Sequence, residues 1–116
     1  DKEKDNRHGN TPLHYAACHG RIDVVKYLCE IGVDKEKVNY YSGTTPLLLA
    51  AWNGHIDVVK YLCEAGVDKE KGTLTGNTPL HCASWCGHID VVKYLCEIGA
   101  DKEKVDYDYG NTPLLG

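Results

Sequence analysis

The pentapeptide Gly-[Asn/Thr]-Thr-Pro-Leu occurs four times in the chain, with its threonine at positions 11, 45, 78 and 112. Successive copies are therefore 34, 33 and 34 residues apart (45−11, 78−45 and 112−78). A period of this size is typical of units that are too small to bury an apolar face alone and must stack on their neighbours. We therefore expect a repeat array whose function lies on a surface that several repeats share.

Each unit carries the signals of two short helices. A threonine whose hydroxyl can accept from exposed amides, followed by a proline with its φ already helical, predicts the start of the first helix. A glycine then ends this helix. A second helix is predicted by the apolar spacing of Gly-[Arg/His]-Ile-Asp-Val-Val-Lys-Tyr-Leu-Cys-Glu, which begins at Gly20, Gly54 and Gly87. The polar segment that follows predicts a turn or a hairpin-like finger.

The motifs within the units are shared with a known family. Thr-Pro-Leu-His-x-Ala at Thr11–Ala16 and Thr78–Ala83, with Gly-His-x-x-Val-Val from Gly54, resembles the ankyrin repeat, and the resemblance covers essentially the whole chain. The tetratricopeptide repeat has a similar period but fits poorly, because it places its proline at the end of the second helix and has no finger. The resemblance implies an all-α fold, an ankyrin-repeat solenoid of stacked helix-turn-helix units joined by hairpin-like finger loops.

The repeats divide the chain into the parts of a single ankyrin-repeat domain, expected to span residues 1–116. These parts are a partial finger at 1–8, repeats at 9–42, 43–75 and 76–109, and a truncated repeat at 110–116. Because both ends of the sequence fall inside a repeat unit, we expect a fragment of a longer array.

A longer period of 67 residues lies over the shorter one, as the separation of His14 and His81 indicates (81−14). Units two and four carry one extra residue in the finger and replace this histidine by Leu48 and Leu115. Long and short fingers are therefore expected to alternate along one edge of the array. In the ankyrin resemblance this histidine ties the loop to the helix start, which implies a structural role for His14 and His81.

Three of the six cysteines occupy one equivalent position in the second helices: Cys29, Cys63 and Cys96. Neighbouring packed helices lie roughly 10 Å apart, which is beyond the reach of a disulfide. We therefore expect these residues to be small buried hydrophobes. Thiols without disulfides favour a reducing, cytoplasmic compartment.

Cys82 and Cys86 lie four residues apart on a first helix, near His81 and His88, and this spacing can chelate zinc. The alternative is two free thiols. We favour the alternative because the equivalent positions hold other residues in the other repeats and no four-ligand set is apparent. We therefore predict no metal and no cofactor.

Several functional classes are disfavoured by the sequence. No Ser-His-Asp grouping clusters outside the repeat motifs and no glycine-rich phosphate loop follows a strand, so an enzyme is not expected. Each Asp-Lys-Glu-Lys block is net neutral and the chain has a net charge of −4, which argues against nucleic acid as a partner. The longest apolar run, Leu47–Trp52, is far too short to span a membrane.

The Lys-Glu-Lys of these blocks departs from the pattern of the ankyrin family. The sequence therefore leaves undecided which hydrogen bonds form at the base of the finger.

The candidate partner-binding residues lie where the units differ from one another, at the fingertips and at the ends of the first helices. In ankyrin repeats these positions line a concave groove that grips partner proteins, so the resemblance implies a binding role. Several are Tyr or Trp, which are enriched in binding hot spots. The alternative for the two tryptophans is packing between neighbouring first helices. The candidates are Arg7, His8, Cys18, His19, Tyr40, Tyr41, Trp52, Asn53, Leu74, Thr75, Trp85, Cys86, Tyr107 and Tyr109.

We therefore expect a non-catalytic scaffold that binds a partner protein through its concave groove and fingertips. A structural spacer within a longer array is the alternative, and a zinc- or thiol-based sensor is a more remote one. We expect a monomer or weak end-to-end association, with neither a nucleic acid nor a membrane as partner.

Overall fold

The computed structural model describes residues 8–104, and in that range it contains six α-helices and no strand. The helices are α1 Pro12–Cys18, α2 Ile22–Glu30, α3 Pro46–Trp52, α4 Ile56–Glu64, α5 Pro79–Cys86 and α6 Ile89–Glu97. The predicted all-α architecture of helix pairs is confirmed. None of these six helices has the length and apolar character needed to span a bilayer. The expected truncated repeat at 110–116 and most of the partial finger at 1–8 lie outside the described residues.

The Thr-Pro motif begins each first helix. The hydroxyls of Thr11, Thr45 and Thr78 accept from a backbone N–H three residues on, at 3.3, 3.2 and 3.2 Å respectively. A proline occupies the first turn of the same helices, where its missing N–H leaves no bond unmade. Each second helix carries an aspartate in its first turn, where a negative charge suits the helix dipole.

The turn between the two helices of a pair requires a glycine in the left-handed region. Gly54 has φ +75°, a conformation that other residues adopt only at a cost. A Cβ atom there would also lie 2.5 Å from Nδ1 of His88 in the next repeat. The glycine therefore allows both the tight turn and the close approach of the following unit.

The helix pairs stack so that the first helices form one layer and the second helices form another. α1 packs against α3 and α3 against α5, while α2 packs against α4 and α4 against α6. The core lies between the two layers. Its largest fully buried apolar side chains are Leu13, Val25, Leu47, Leu48, Val58, Val59, Leu62, Leu80, Val91 and Leu95. Each unit thus depends on its neighbours to cover its apolar face.

The Asp-Lys-Glu-Lys blocks form a hydrogen-bonded row at the base of the fingers. Within a block, the aspartate carboxylate accepts from the backbone N–H of the glutamate, as Asp68 does from Glu70 at 2.9 Å. The glutamate carboxylate then accepts from the aspartate N–H of the next block. This bond joins Glu36 to Asp68 at 3.3 Å. It joins Glu70 to Asp101 at 2.9 Å. The Lys-Glu-Lys sequence thus links successive repeats, which answers the question that the sequence left open.

The two described fingers differ in length and in the side chain that bridges them. The longer finger, 34–44, is organised by Asn39, whose Oδ1 accepts from the backbone N–H groups of Ser42 and Thr44, both at 3.1 Å. The shorter finger, 68–77, is closed by Thr73, whose N–H donates to the carbonyl of Asn77 at 3.0 Å. The longer finger makes the same backbone bond, from the N–H of Asn39 to the carbonyl of Thr44 at 3.0 Å, so its extra residue is accommodated by the side chain of Asn39.

The cysteines of the second helices are half-buried, so the expectation that they are buried core residues is wrong. Cys29, Cys63 and Cys96 pack against the rim of the core. Each follows the buried leucine of its helix, and one residue rotates a side chain by about 100° around the helix axis. The leucine therefore takes the core position. Burial raises the pKa of the Cys63 thiol to about 11.

Candidate protein-binding surface

The C-terminal ends of α1, α3 and α5 lie side by side, because these helices pack against one another in order. Trp52 is 47% exposed and Trp85 is 68% exposed, whereas a tryptophan packed between helices buries most of its area. Trp85 is therefore mostly exposed, whereas Trp52 is about half packed and half exposed. With their neighbours they contribute two candidate residues from each repeat: Cys18, His19, Trp52, Asn53, Trp85 and Cys86.

A side chain also joins the helix ends of neighbouring repeats. Nδ2 of Asn53 donates to the carbonyl of Leu49 at 2.8 Å, a bond that holds the exposed amide against its own helix. The same Nδ2 lies 3.5 Å from Sγ of Cys18 in the preceding repeat, and a thiol sulfur is a weak acceptor. These contacts fix the position of the asparagine beside Trp52.

The fingertips carry a second group of candidate residues. Tyr41 is the most exposed of them at 82%, and Tyr40 and Leu74 are also largely exposed. The rings of His8 and Tyr41 meet edge to face, with 5.7 Å between their centroids. The N–H of Tyr40 donates to the carbonyl of His8 at 2.8 Å, and an equivalent bond joins Leu74 to Ser42 at 3.0 Å. Neighbouring fingertips are thus held together by their backbones.

Two of these exposed side chains, Tyr40 and Leu74, each lie over a glycine of the neighbouring finger. A Cβ atom at Gly9 would lie 2.9 Å from Cδ1 of Tyr40, and one at Gly43 would lie 2.9 Å from Cγ of Leu74. Glycine therefore lets each side chain lie directly on the neighbouring backbone. One side of each side chain therefore lies against backbone, while most of its surface stays exposed.

The described candidate residues include no Asp, Glu, Lys or Arg, although these types make up 26% of the whole chain. Thr75 is half-buried, and its hydroxyl accepts from Nδ2 of Asn77 at 3.1 Å, so it supports the finger. The resulting surface is aromatic and polar but uncharged. Three further candidates, Arg7, Tyr107 and Tyr109, lie outside the described residues.

One exposed aromatic residue of the first helices, Tyr15, was not among the candidates. It is 49% exposed on α1, where α3 and α5 have Leu49 and Cys82 at the equivalent positions. This position differs between the units, and that difference could have identified Tyr15 as a candidate.

The histidine of the Thr-Pro-Leu-His motif has the structural role that the resemblance implies. Nδ1 of His14 accepts from the backbone N–H of Thr11 at 3.0 Å, since an amide N–H can only donate. Nε2 therefore carries the proton and donates to the carbonyl of Thr44 at 3.0 Å. His81 repeats the contact with the N–H of Thr78 at 3.1 Å. The imidazole thus ties the loop to the helix start and, at His14, also reaches the next repeat.

Each of the two histidines with zinc-ligand spacing uses one ring nitrogen in another contact. Nδ1 of His81 accepts from the N–H of Thr78, and Nε2 of His88 donates to the carbonyl of Trp52 at 3.0 Å. Burial, followed by the neighbouring Cys86, raises the pKa of the Cys82 thiol to about 12, which disfavours the thiolate that binds metals. Among residues 8–104, no three His, Cys, Asp or Glu side chains come together in a way that could hold a metal ion.

Comparison with known proteins agrees with this architecture. A family model described as ankyrin repeats (3 copies) matches residues 32–106, and one described as ankyrin repeat matches residues 8–40. Together the two matches cover all three described helix pairs. A comparison with curated proteins gives no match. The chain belongs to the ankyrin repeat family.

Proposed function

We propose that this chain is a non-catalytic binding module that holds a partner protein in its concave groove, against the helix ends and the fingertips. Ankyrin repeats are in general protein interaction modules. The observation that carries the proposal for this particular surface is the exposure of Trp52 and Trp85 at equivalent places in consecutive repeats.

The energetic argument rests on area and rigidity. Tryptophan and tyrosine offer large contact area with few rotatable bonds, so binding orders them at small entropic cost. Tyr40 already lies against Gly9, and Asn53 is bonded to its own helix. Because the stacked helices fix the spacing of the aromatic residues, a partner meets a surface that needs little rearrangement.

The chemistry of the surface favours a partner segment that is apolar or neutral. The described candidate residues lack the four charged types, while charged side chains crowd the finger bases, as at Glu36 and Glu70. Long-range charge attraction would therefore contribute little to binding at this surface. We infer that affinity depends weakly on salt, since screening acts mainly on exposed charges.

We also infer a reducing, cytoplasmic compartment for the protein. All six cysteines lie in residues 8–104 and are free thiols there. Three of them lie at equivalent positions of the second helices, and no disulfide joins these three. A protein with six free thiols suits a compartment in which thiols stay reduced.

The proposal is tested by affinity capture with three immobilised forms of the 116-residue chain: the parent, a Trp52→Ala/Trp85→Ala variant, and a Tyr27→Ala control. Tyr27 is an exposed aromatic residue on a second helix, away from the candidate surface. We expect a partner that the parent and the control retain and the double variant loses. Equal capture by all three forms would contradict the groove proposal and favour a structural spacer.

A further inference from the structure

Trp52 and Trp85 belong to a row of residues that runs along the stack. Each lies seven residues after the threonine that begins its helix (52−45 and 85−78), and Cys18 has the same place on α1 (18−11). Because α1 packs against α3 and α3 against α5, these three residues follow one another in the order of the repeats. We call them the tryptophan row.

Exposure in this row does not depend on where the described chain begins or ends. Trp52 has a first helix on either side of it, α1 before and α5 after, and its side chain is still 47% exposed. A tryptophan at this place therefore stays open to solvent with a repeat on both sides. Trp85 has the same place on α5, so the row is a feature of the repeated unit.

The spacing of the row fits one kind of extended segment. Packed helices lie about 8–10 Å apart, and side chains at equivalent places share that spacing. In a polyproline II helix, with three residues per turn and about 3.1 Å per residue, every third side chain returns to the same side after about 9 Å. In a β-strand the same side returns after about 6.7 Å, which does not match. A polyproline II segment along the stack can therefore place one residue against each tryptophan.

A partner helix fits the row less well. Residues seven apart on a helix recur on one side after about 10.5 Å, but residues three and four positions on lie on that side between them. Between Cys18 and Trp52 stands the exposed, polar Asn53, whose Nδ2 donates to the carbonyl of Leu49 at 2.8 Å and lies 3.5 Å from Sγ of Cys18. The intermediate side chains of a helix would meet this amide. A polyproline II segment has no side chain on that side between every third residue.

The chemistry of the row also suits proline. A proline ring offers a flat apolar face to an aromatic ring, which is how polyproline II segments bind aromatic-lined grooves. The segment has no internal hydrogen bonds, so its carbonyl oxygens remain acceptors, and the tryptophan indole supplies an N–H that can only donate. The described candidate residues include no Asp, Glu, Lys or Arg, and a proline-rich segment needs no charge to keep its conformation.

We propose that the tryptophan row binds a proline-rich segment of a partner protein in the polyproline II conformation, with prolines three residues apart against Trp52 and Trp85. The inference rests on the proposed function and names the class of partner. The segment runs along the stack, across the ends of the first helices. Because a polyproline II helix is already extended before binding, the segment loses little conformational freedom on the row.

Intrinsic fluorescence tests the proposal, because both tryptophans of the chain belong to the row. The probe is a capped nonaproline peptide added to the full 116-residue chain, and the control is a capped glycine-serine peptide of equal length, which is a flexible coil. We expect a saturable change with nonaproline, with a dissociation constant of about 10 μM to 1 mM, and no saturable change with the control. A lack of saturation by nonaproline up to about 5 mM would overturn the proposal.

The spacing is tested with two capped proline-alanine peptides of the same length and composition. One has proline at every third position, and the other has the same prolines in one block, none of them three residues apart. We expect the first to bind about fivefold tighter or more, because only it places a proline against each tryptophan. Equal affinity would overturn the assigned spacing.

Variants of the row locate the site. Trp52→Ala and Trp85→Ala should each weaken nonaproline binding about tenfold or more in isothermal titration calorimetry, because each removes one of the two anchors. Tyr27→Ala, at an exposed aromatic residue on α2, is the matched control and should keep the parent affinity. Circular dichroism checks that each variant keeps its helical signal, and Trp85→Ala carries the test should Trp52→Ala lose it. Parent affinity in the folded tryptophan variants would overturn the proposal.

Competition separates this inference from the proposed function. Nonaproline should release a captured partner from the immobilised parent chain. If the partner is retained by the parent, lost by the Trp52→Ala/Trp85→Ala variant and not released by nonaproline, the proposed function stands and the polyproline class of partner is wrong. A partner whose binding segment is helical by circular dichroism would overturn the inference in the same way.

Discussion

Nε2 of His14 donates to the carbonyl oxygen of Thr44 at 3.0 Å, so a buried imidazole joins the start of α1 to the finger of the following repeat. The second repeat has Leu48 at this place, which is equally buried but has no donor. Asn77 is the counterpart of Thr44, and each of these two carbonyls accepts from an N–H of its own finger at 3.0 Å, but only that of Thr44 also receives a bond from the preceding first helix. The two described interfaces between repeats therefore differ in a buried polar contact.

We expect His14→Ala to lower the free energy of unfolding by about 2–4 kcal/mol, because it removes buried volume and leaves the N–H of Thr11 without its acceptor. His14→Leu should lose less, about 1–2 kcal/mol, because the second repeat already accommodates Leu48. Urea unfolding measures both. The exposed His19→Ala is the control and should stay within about 0.5 kcal/mol. Equal losses for His14→Leu and His14→Ala would contradict a packing contribution.

Replacing the tryptophans should affect stability in the order of their burial. We expect Trp85→Ala to change the free energy of unfolding by less than about 1 kcal/mol, and Trp52→Ala to lose somewhat more because about half of its surface is buried. The core variant Leu62→Ala is the control, with an expected loss of about 2–5 kcal/mol. Thermal midpoints report the order. A tryptophan variant that matches Leu62→Ala would make that residue part of the core.

Alkaline pH should destabilise the protein through its buried thiols. Burial raises the pKa of the Cys82 thiol to about 12 in the folded chain, from an ordinary value of 9.0. Below pH 9 the thiol is protonated in both states, so its contribution to stability is complete. As the pH rises from 9 towards 12, the unfolded chain releases the proton first, and stability falls.

The urea midpoint measured at several pH values checks this dependence. Cys82→Ala removes one of the titrating groups, so its midpoint should fall less steeply above pH 9 than that of the parent. Cys63 remains as a second contributor, since the pKa of its thiol is about 11. Identical slopes for the parent and the Cys82→Ala variant would show that this thiol does not titrate as described.

The glycines of the inter-helix turns offer a matched pair. Gly54 and Gly87 have nearly the same φ, +75° and +78°, so alanine meets the same backbone strain at both, about 1–2 kcal/mol. A Cβ atom at Gly54 would lie 2.5 Å from Nδ1 of His88, whereas one at Gly87 would have no other atom of residues 8–104 within 4 Å. We expect Gly54→Ala to lose at least about 1 kcal/mol more than Gly87→Ala. Urea unfolding of both variants gives the difference, and equal losses would mean that the imidazole moves aside freely.

The order of helices and turns could be predicted because local chemistry decides it. Thr-Pro starts such as Thr45–Pro46, and glycines such as Gly54, act on the residues beside them, so their spacing alone gives the helix pairs. The degree of burial within a helix depends on the neighbouring layer instead. That is why Cys63, next to Leu62 in sequence, was expected in the core and lies at its rim.

The candidate surface was predictable in position but not in exposure. Differences between the units indicate Trp52 and Trp85. A large aromatic side chain at this spacing can, however, either pack between helices or lie exposed to solvent. Only the placement of the neighbouring first helices decides between them. The contact of Glu70 with Asp101 was unpredictable for a similar reason, since it joins residues that come together only when the repeats stack.

The hydrogen bond of the His14 imidazole predicts the order in which the helix pairs separate under mechanical force. A force that pulls the repeats apart along the stack must break the buried hydrogen bond from His14 to Thr44 to separate the first helix pair from the second. Between the second and third pairs it meets the apolar Leu48 at that place, and the polar bonds that remain, such as that of His88 to Trp52, have counterparts in the first interface, such as that of His55 to Cys18. We therefore expect the third pair to detach while the first two stay joined.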